Sequence, residues 1–341
     1  MQTPAAPDPQ SRAEGAGRRA SHDHEGGRQP RFVLILSENW TMTPGTELAT
    51  LVRWAREAED AGFDAVMVSE HVVLGPAAGE NGLMPNPREY ALPGNQDPST
   101  PWPSPLLLLS AIAAVTDRVR LAAAAVISPL RHPLLLAKEF ATLDQLSGGR
   151  LVVLPTVSWH PQEYAALGVP FTERGARLDE QLAIWDAVWA ASATGAPVSH
   201  HGRFYSFDDV WVSPGPARAT GPQLWFGGST LHDALLRRLV RYGNGYNPLG
   251  RPPIEATERL AAAMTAAGRS VGDLEMIGGT RARFPDDRSC ADLGEALESI
   301  PEQLEQGFGT FCIKPSQFID DPDAVPAFCK EVVRRTAALL T

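Results

Sequence analysis

From Arg31 onward one rhythm governs the chain: a short apolar run, a polar loop, an amphipathic helical stretch, then another short apolar run. The apolar runs fall at 32–37, 65–69, 119–127, 151–157, 224–227, 245–247, 274–280 and 309–314. Several are aliphatic throughout, without polar alternation, as strands covered on both faces of a parallel sheet are. Between them Leu48, Leu51, Val52, Ala55 and Ala58 recur at helical spacing, and Gly62 stops that helix. Leu135, Leu136, Phe140 and Leu143 mark a second helix, and Leu178, Leu182, Trp185 and Trp189 a third. Eight strands alternating with helices predict an α/β fold, a closed (β/α)₈ TIM barrel. A doubly wound open sheet is the alternative, but the first strand runs into Glu38-Asn39-Trp40 rather than a GxGxxG turn.

Two insertions break the rhythm. Residues 72–105, rich in proline and glycine and without helical period, predict a functional lid after the second strand. Residues 200–216 predict a hairpin before the fifth, pairing Phe204, Tyr205 and Phe207 with Val210, Trp211 and Val212. His200 and His201 within it read as solvated. Residues 1–30 hold no Val, Ile, Leu, Phe, Tyr or Trp, so a disordered tail is expected ahead of a single domain spanning 31–341. His22 and His24 in that tail are a weak metal tract, and no metal is expected. A formal charge of −10 with no basic block argues against nucleic acid and anionic membranes as partners. No run approaches the roughly 18 apolar residues of a membrane span. Cys290, Cys312 and Cys329 lack CxxC spacing, which suits a reduced cytoplasmic setting.

In such a barrel chemistry gathers at the C-terminal ends of the strands. Read in order, those ends offer Asn39 and Trp40, Glu70 and His71, Ser128, then Ser158, Trp159 and His160, and finally Gly227 to Thr230. No Walker loop, HExxH or Ser-His-Asp order is present, so phosphotransferase, zinc-protease and serine-hydrolase readings lack support. Gly227-Gly228-Ser229-Thr230 precedes a helix expected to start near Leu231, an arrangement that either caps the helix or receives a cofactor phosphate. Trp40, Trp102 and Trp159, with Tyr90 of the lid, are candidate walls of an apolar substrate pocket, while Trp185 and Trp189 read as core.

Three stretches together carry a family resemblance: GFDAVMVSEH (62–71), TDRVRLAAAAVISPLRHPLLLAKEFATLDQLSGGR (116–150) and LGVPFTERGARLD (167–179), followed downstream by FGGST (226–230). They resemble the luciferase-like monooxygenase superfamily, in particular its coenzyme F420-dependent oxidoreductases, over roughly residues 32–315. The resemblance implies a flavin or deazaflavin lying across the strand ends. It also implies a non-prolyl cis peptide in the third strand, at Ala124-Ala125 followed by Val126, whose small side chains let a ring approach the backbone. It places Glu70 against the cofactor and His71 on the reacting face, as the catalytic pair. Glu70 is expected either to orient the His71 ring or to contact the cofactor. Ser37, Ala124, Ala125, Val126, Thr156, Val157, Ser158 and Gly227, Gly228, Ser229 and Thr230 are the implied cofactor contacts. Asn39, Trp40, Tyr90, Trp102, Trp159 and His160 are the implied substrate contacts.

The chain also departs from the pattern. Relatives commonly carry glycines at alternate positions after strand four, where this chain reads LPTVSWH (154–160). FMN-using luciferases place a phosphate-binding arginine where Val157 stands, and Arg53, Arg131 and Arg177 are the candidate substitutes. The resemblance therefore implies hydride transfer between F420 and a small organic substrate. The alternatives are an FMN-dependent monooxygenase using O₂ and a non-catalytic flavin-binding barrel. A homodimer is compatible with all three.

Overall fold

The computed structural model describes residues 29–341. The expected tail falls almost entirely outside them, and His22 and His24 wholly so. Strands β1 (Arg31–Ile35), β2 (Ala65–Val68), β3 (Arg120–Ile127) and β4 (Leu151–Thr156) form one part of a barrel. Strands β7 (Gln223–Gly227), β8 (Gly245–Asn247), β9 (Glu275–Gly279) and β10 (Thr310–Ile313) complete it, in the closed order β1-β10-β9-β8-β7-β4-β3-β2. Every pairing within the barrel is parallel. The (β/α)₈ barrel is thus the observed fold, and each expected strand lies within two residues of its observed bounds.

Two-residue alternation sorts each strand into an inner and an outer set. Val33, Ile35, Ala65, Ala122, Ala124, Val152, Trp225, Ile277 and Cys312 fill the barrel. Phe32, Leu34, Val66, Leu121, Val153, Phe226 and Phe311 face the surrounding helices. These include α1 (Leu48–Asp60), α3 (Pro133–Leu146), α5 (Arg174–Thr194), α6 (Asp233–Tyr242) and α10 (Val325–Leu339). Trp185 and Trp189, stacked at 6.0 Å between centroids, are core residues of α5, as their spacing implies. α2 (Pro105–Ala113) is a helix that the sequence pattern did not disclose, because its PLLLLSAIA run is apolar on nearly every side.

The hairpin stands before β7 but in a different register. Its strands are β5 (Val198–His201) and β6 (Ser206–Val210), with Val198 opposite Val210 and His200 opposite Phe207. The turn is therefore at 202–205, and Phe204 and Tyr205 belong to it rather than to a strand. Glu180 of α5 fixes that turn by accepting the Phe204 and Tyr205 N–H groups and contacting His200. The segment between β2 and α2 carries only one short 3₁₀ turn, at Pro76–Gly79, and spans the C-terminal face of the barrel. Among the described residues no helix is long and apolar enough to cross a membrane, and no group of three His, Cys, Asp or Glu side chains is placed to hold a metal.

Candidate active site

The C-terminal rim is built where strands end abruptly. β1 ends in Ser37, Glu38 and Asn39, with Glu38 in the left-handed region at φ 66°. The buried Asn39 amide donates to the carbonyls of Ile35, Leu36 and Ser37 at 2.9, 3.0 and 3.2 Å and accepts the Ser316 N–H at 3.0 Å. Asn39 thus ties β1 to the end of β10, and its amide nitrogen is spent on backbone. Ser37 and Ser69, on adjacent strand ends, share a hydroxyl hydrogen bond of 2.8 Å.

In β3 the register against β4 shifts between Ala124 and Val126, and the Ala124–Ala125 peptide is cis. This is where the family resemblance put it. Ala124 is buried in the barrel and Ala125 partly open, and neither carries a side chain larger than a methyl. Glu70 abuts the same bulge. Its carboxylate accepts the Ile127 N–H at 2.7 Å and is gripped by both terminal nitrogens of Arg131, at 2.7 and 2.8 Å. The pairing is bidentate and the carboxylate buried, the geometry in which an ion pair is strongest.

Glu70 therefore does not orient His71. The partner of His71 is Glu163, in the first turn of α4 (Pro161–Ala166), a residue the sequence reading passed over. Glu163 has no exposed side-chain surface. Burial favours its neutral form, yet the hydrogen bonds from His71, the Val72 N–H and Ser158 outweigh that and hold the carboxyl below the usual carboxylate range. Ser158, at φ 55°, donates to Glu163 at 3.0 Å and accepts the His160 N–H at 3.3 Å. Around the His71 ring stand Trp102 at 5.2 Å, Trp159 at 5.6 Å and His160 at 6.5 Å, all edge-on, and Trp40 meets Trp102 edge-on at 5.3 Å. Four of the six implied substrate residues thus gather at His71, with Asn39 elsewhere in a structural bond.

His160 is fully buried, and that burial pushes its imidazole pKa down, toward the neutral form. Its Nε2 accepts the Gly75 N–H at 2.8 Å, so the neutral ring carries its proton on Nδ1, which has no partner among the described residues.

Tyr90 lies apart from this group, packed against the cluster of side chains that fills the barrel. With it is Lys314, a second residue the sequence reading missed, at the end of β10 and without exposed surface. Lys314 donates to the Glu89 carbonyl at 2.7 Å, lies 4.8 Å from the Tyr90 ring centroid and stands 3.9 Å from Glu38. Burial lowers its pKa to about 8, against the opposing pull of Glu38 and Glu89.

The Gly227–Thr230 turn is placed differently from expectation. α6 begins at Asp233 with His232 as its cap, accepting the Leu235 N–H at 3.2 Å, so the turn is set off from the helix N-terminus. Gly227 has a reason to be glycine: a Cβ there would meet the Asn247 carbonyl oxygen at 3.0 Å. Ser229 and Thr230 are exposed, and Thr156 and Val157 are partly buried at the end of β4, where the Tyr164 hydroxyl donates to the Val157 carbonyl at 2.6 Å.

The three arginines that could stand in for one at position 157 are committed elsewhere. Arg53 pairs with Asp323 at 3.0 Å, Arg131 with Glu70 and Arg177 with Glu173 at 2.8 Å. The rim brings together methyl side chains at the β3 bulge, hydroxyls at Ser37, Ser69 and Thr156, and Gly227.

Comparison with known proteins shows the family and the fold. The family model described as luciferase-like monooxygenase matches residues 30–292. The FMNH₂-dependent dimethylsulfone monooxygenase of Pseudomonas putida is 29% identical over 206 residues, covering 59% of this chain and 54% of that protein. The F420-dependent glucose-6-phosphate dehydrogenase of Microbacterium testaceum is 29% identical over 243 residues, covering 69% and 64%. Among solved structures, the monooxygenase RslO1 of Streptomyces bottropensis superimposes with a TM-score of 0.66 at 20% identity, over 91% of this chain and all of that one.

Proposed function

The chain belongs to the luciferase-like monooxygenase family, and from that premise we propose that it is an oxidoreductase moving a hydride between coenzyme F420 and a small organic substrate. The observation that carries the choice of F420 is that Val157 stands at the end of β4 where an FMN phosphate would be met by arginine, and that Arg53, Arg131 and Arg177 are each bound to a carboxylate. Ala124, Ala125 and Val126 would support the ring, with Ser37, Thr156, Val157, Ser158 and the Gly227–Thr230 turn around it. When bound, the cofactor supplies a carbon centre that gives or takes the hydride.

The chain's own residues supply position and protons. Glu70 and Arg131 brace the β3 bulge from outside the barrel. His71 exchanges a proton with the substrate as its charge changes, a role that an imidazole held at the strand end beside the substrate space can fill. Trp40, Trp102 and Trp159 wall the substrate space and exclude water, which favours an apolar or aromatic substrate.

Equilibrium binding of F420 and FMN to the purified protein tests the choice. F420 is expected to bind at least tenfold tighter, about 1.4 kcal/mol. Equal affinities, or FMN retained through purification, would transfer the assignment to an FMN-dependent monooxygenase. Binding of either without turnover of any reductant or substrate would leave a flavin-binding barrel.

A further inference from the structure

Glu163 has a more particular role than packing. It collects four donors from the loops that follow β2 and β4. The Val72 and Val73 N–H groups reach Oε1 at 2.5 and 3.4 Å, while Ser158 Oγ and His71 Nδ1 reach Oε2 at 3.0 and 3.4 Å. An ionised carboxylate only accepts. Glu163 is held ionised by these same bonds, so the contact with His71 has one sense: Nδ1 carries the proton. The other ring nitrogen, Nε2, makes no hydrogen bond among the described residues. Unlike the sealed Nδ1 of His160, it is not closed off from solvent.

We infer that Glu163 is the positioning residue that fixes His71 as its Nδ1–H tautomer, leaving the Nε2 lone pair as the acceptor offered to a substrate proton. The consequence for catalysis rests on the role proposed above for His71, whereas the tautomer itself does not.

The geometry also says what the isosteric amide would do. In Glu163→Gln the two backbone donors on the Oε1 side, Val72 N–H and Val73 N–H, require an oxygen there. The amide NH₂ must then occupy the Oε2 side, facing Nδ1. Nδ1 becomes an acceptor and the ring proton moves to Nε2. In triads where a buried carboxylate orients a histidine, the same carboxylate-to-amide change costs about 10⁴ in turnover through the wrong tautomer.

The test is ¹⁵N–¹H correlation of histidine-labelled protein at alkaline pH, with His71→Asn to assign the resonance. The wild type is expected to show a protonated Nδ1 and a bare Nε2, and Glu163→Gln the reverse. Glu163→Asp, which keeps a carboxylate, should retain the wild-type pattern. Ser158→Ala, which removes only the other donor on Oε2, should retain it as well. In turnover, Glu163→Gln should lose at least 10²-fold with cofactor affinity changed less than threefold.

An Nε2–H tautomer in the wild type, or the same tautomer in Glu163→Gln as in the wild type, overturns the inference. Should Glu163→Gln fail to fold, the wild-type and Ser158→Ala spectra still decide it. Should the tautomer invert while His71→Ala keeps full turnover, the catalytic reading of His71 falls and the positioning role of Glu163 stands.

Discussion

At the scale of single residues, the site is a matter of which carboxylate serves which base. Glu70 and His71 are neighbours in sequence, but successive residues of an extended segment point to opposite sides, and these two take different partners. Glu70 turns to Arg131 and the β3 bulge, and His71 to Glu163. His71 therefore stands free of the bulge that would support the cofactor, and its loss should be felt in chemistry rather than binding. His71→Ala is expected to lower turnover by roughly 10²-fold or more, with F420 affinity nearly unchanged, as removal of a general acid–base does. His71→Gln, which hydrogen-bonds but does not titrate near neutrality, should not restore it. Retention of more than half the wild-type turnover in steady-state assays would reduce His71 to a packing residue.

At the scale of elements, the strap formed by residues 86–91 is the least expected feature. It is pinned at both ends. Asn86 donates to the carbonyls of Asp286 and Ser289 at 3.0 and 2.9 Å, Arg88 pairs with Asp320 at 2.5 Å, and the Ala91 N–H donates to Glu38 at 2.9 Å. Between these anchors Tyr90 descends over the barrel interior and Lys314 rises to meet it. A buried lysine with a pKa near 8 is less stable charged in the fold than in the unfolded chain, where it titrates near 10.5. Below pH 8 both states carry the proton and the fold bears a constant penalty of about 3 kcal/mol. Between pH 8 and 10.5 the unfolded chain binds the extra proton, so this contribution to stability rises with pH. Lys314→Met should accordingly be more stable at pH 7 by about 1–3 kcal/mol, after loss of the bond to the Glu89 carbonyl. The advantage should shrink toward pH 10. Urea unfolding of both proteins at pH 7 and 9.5 measures this, and a variant less stable at pH 7 would show that the ammonium holds the strap at a net gain.

At the scale of the whole molecule, the two ends of the barrel do different work. The N-terminal end is closed by a buried ion network. Arg120 pairs with Asp64 and, at 2.8 Å, with Glu275, which also takes Arg31 at 3.1 Å and the Thr310 hydroxyl at 2.5 Å. Burial opposes charge on both Arg120 and Glu275, but their mutual hydrogen bonds prevail, raising the arginine and lowering the carboxyl. These residues join β3, β9, β1 and β10 and the loop before β2, so the network holds the barrel shut where no chemistry occurs. Glu275→Ala strands Arg120 in the interior and is expected to cost about 3–5 kcal/mol, a fall of about 5 °C in Tm. The folded variant should bind cofactor as the wild type does. Because the Glu275 carboxyl is depressed in the fold, its contribution is full at neutral pH and is lost as the pH falls through its folded value. Thermal melts at pH 7 and 4 would show the difference between the two proteins narrowing with acid, and a constant difference would mean that the loss is one of packing.

The sequence by itself determined the barrel and much of its rim. Strand and helix periods are local, each written within a dozen residues, and eight strands of one direction with intervening helices have few ways to close. The cis position came from the family resemblance and not from local periodicity, since a run of alanines at 122–125 by itself carries no such signal. What the sequence did not disclose were the pairings between strand ends. Glu163 meets His71 across 92 residues and Lys314 meets Glu89 across 225, and Arg131 claims Glu70 from 61 residues away. A carboxylate gives the same signal in sequence whether it orients a base, braces a bulge or lies in water. Its role is set by which charge or donor the closed barrel brings within about 3 Å, and ring closure, not local propensity, decides that distance.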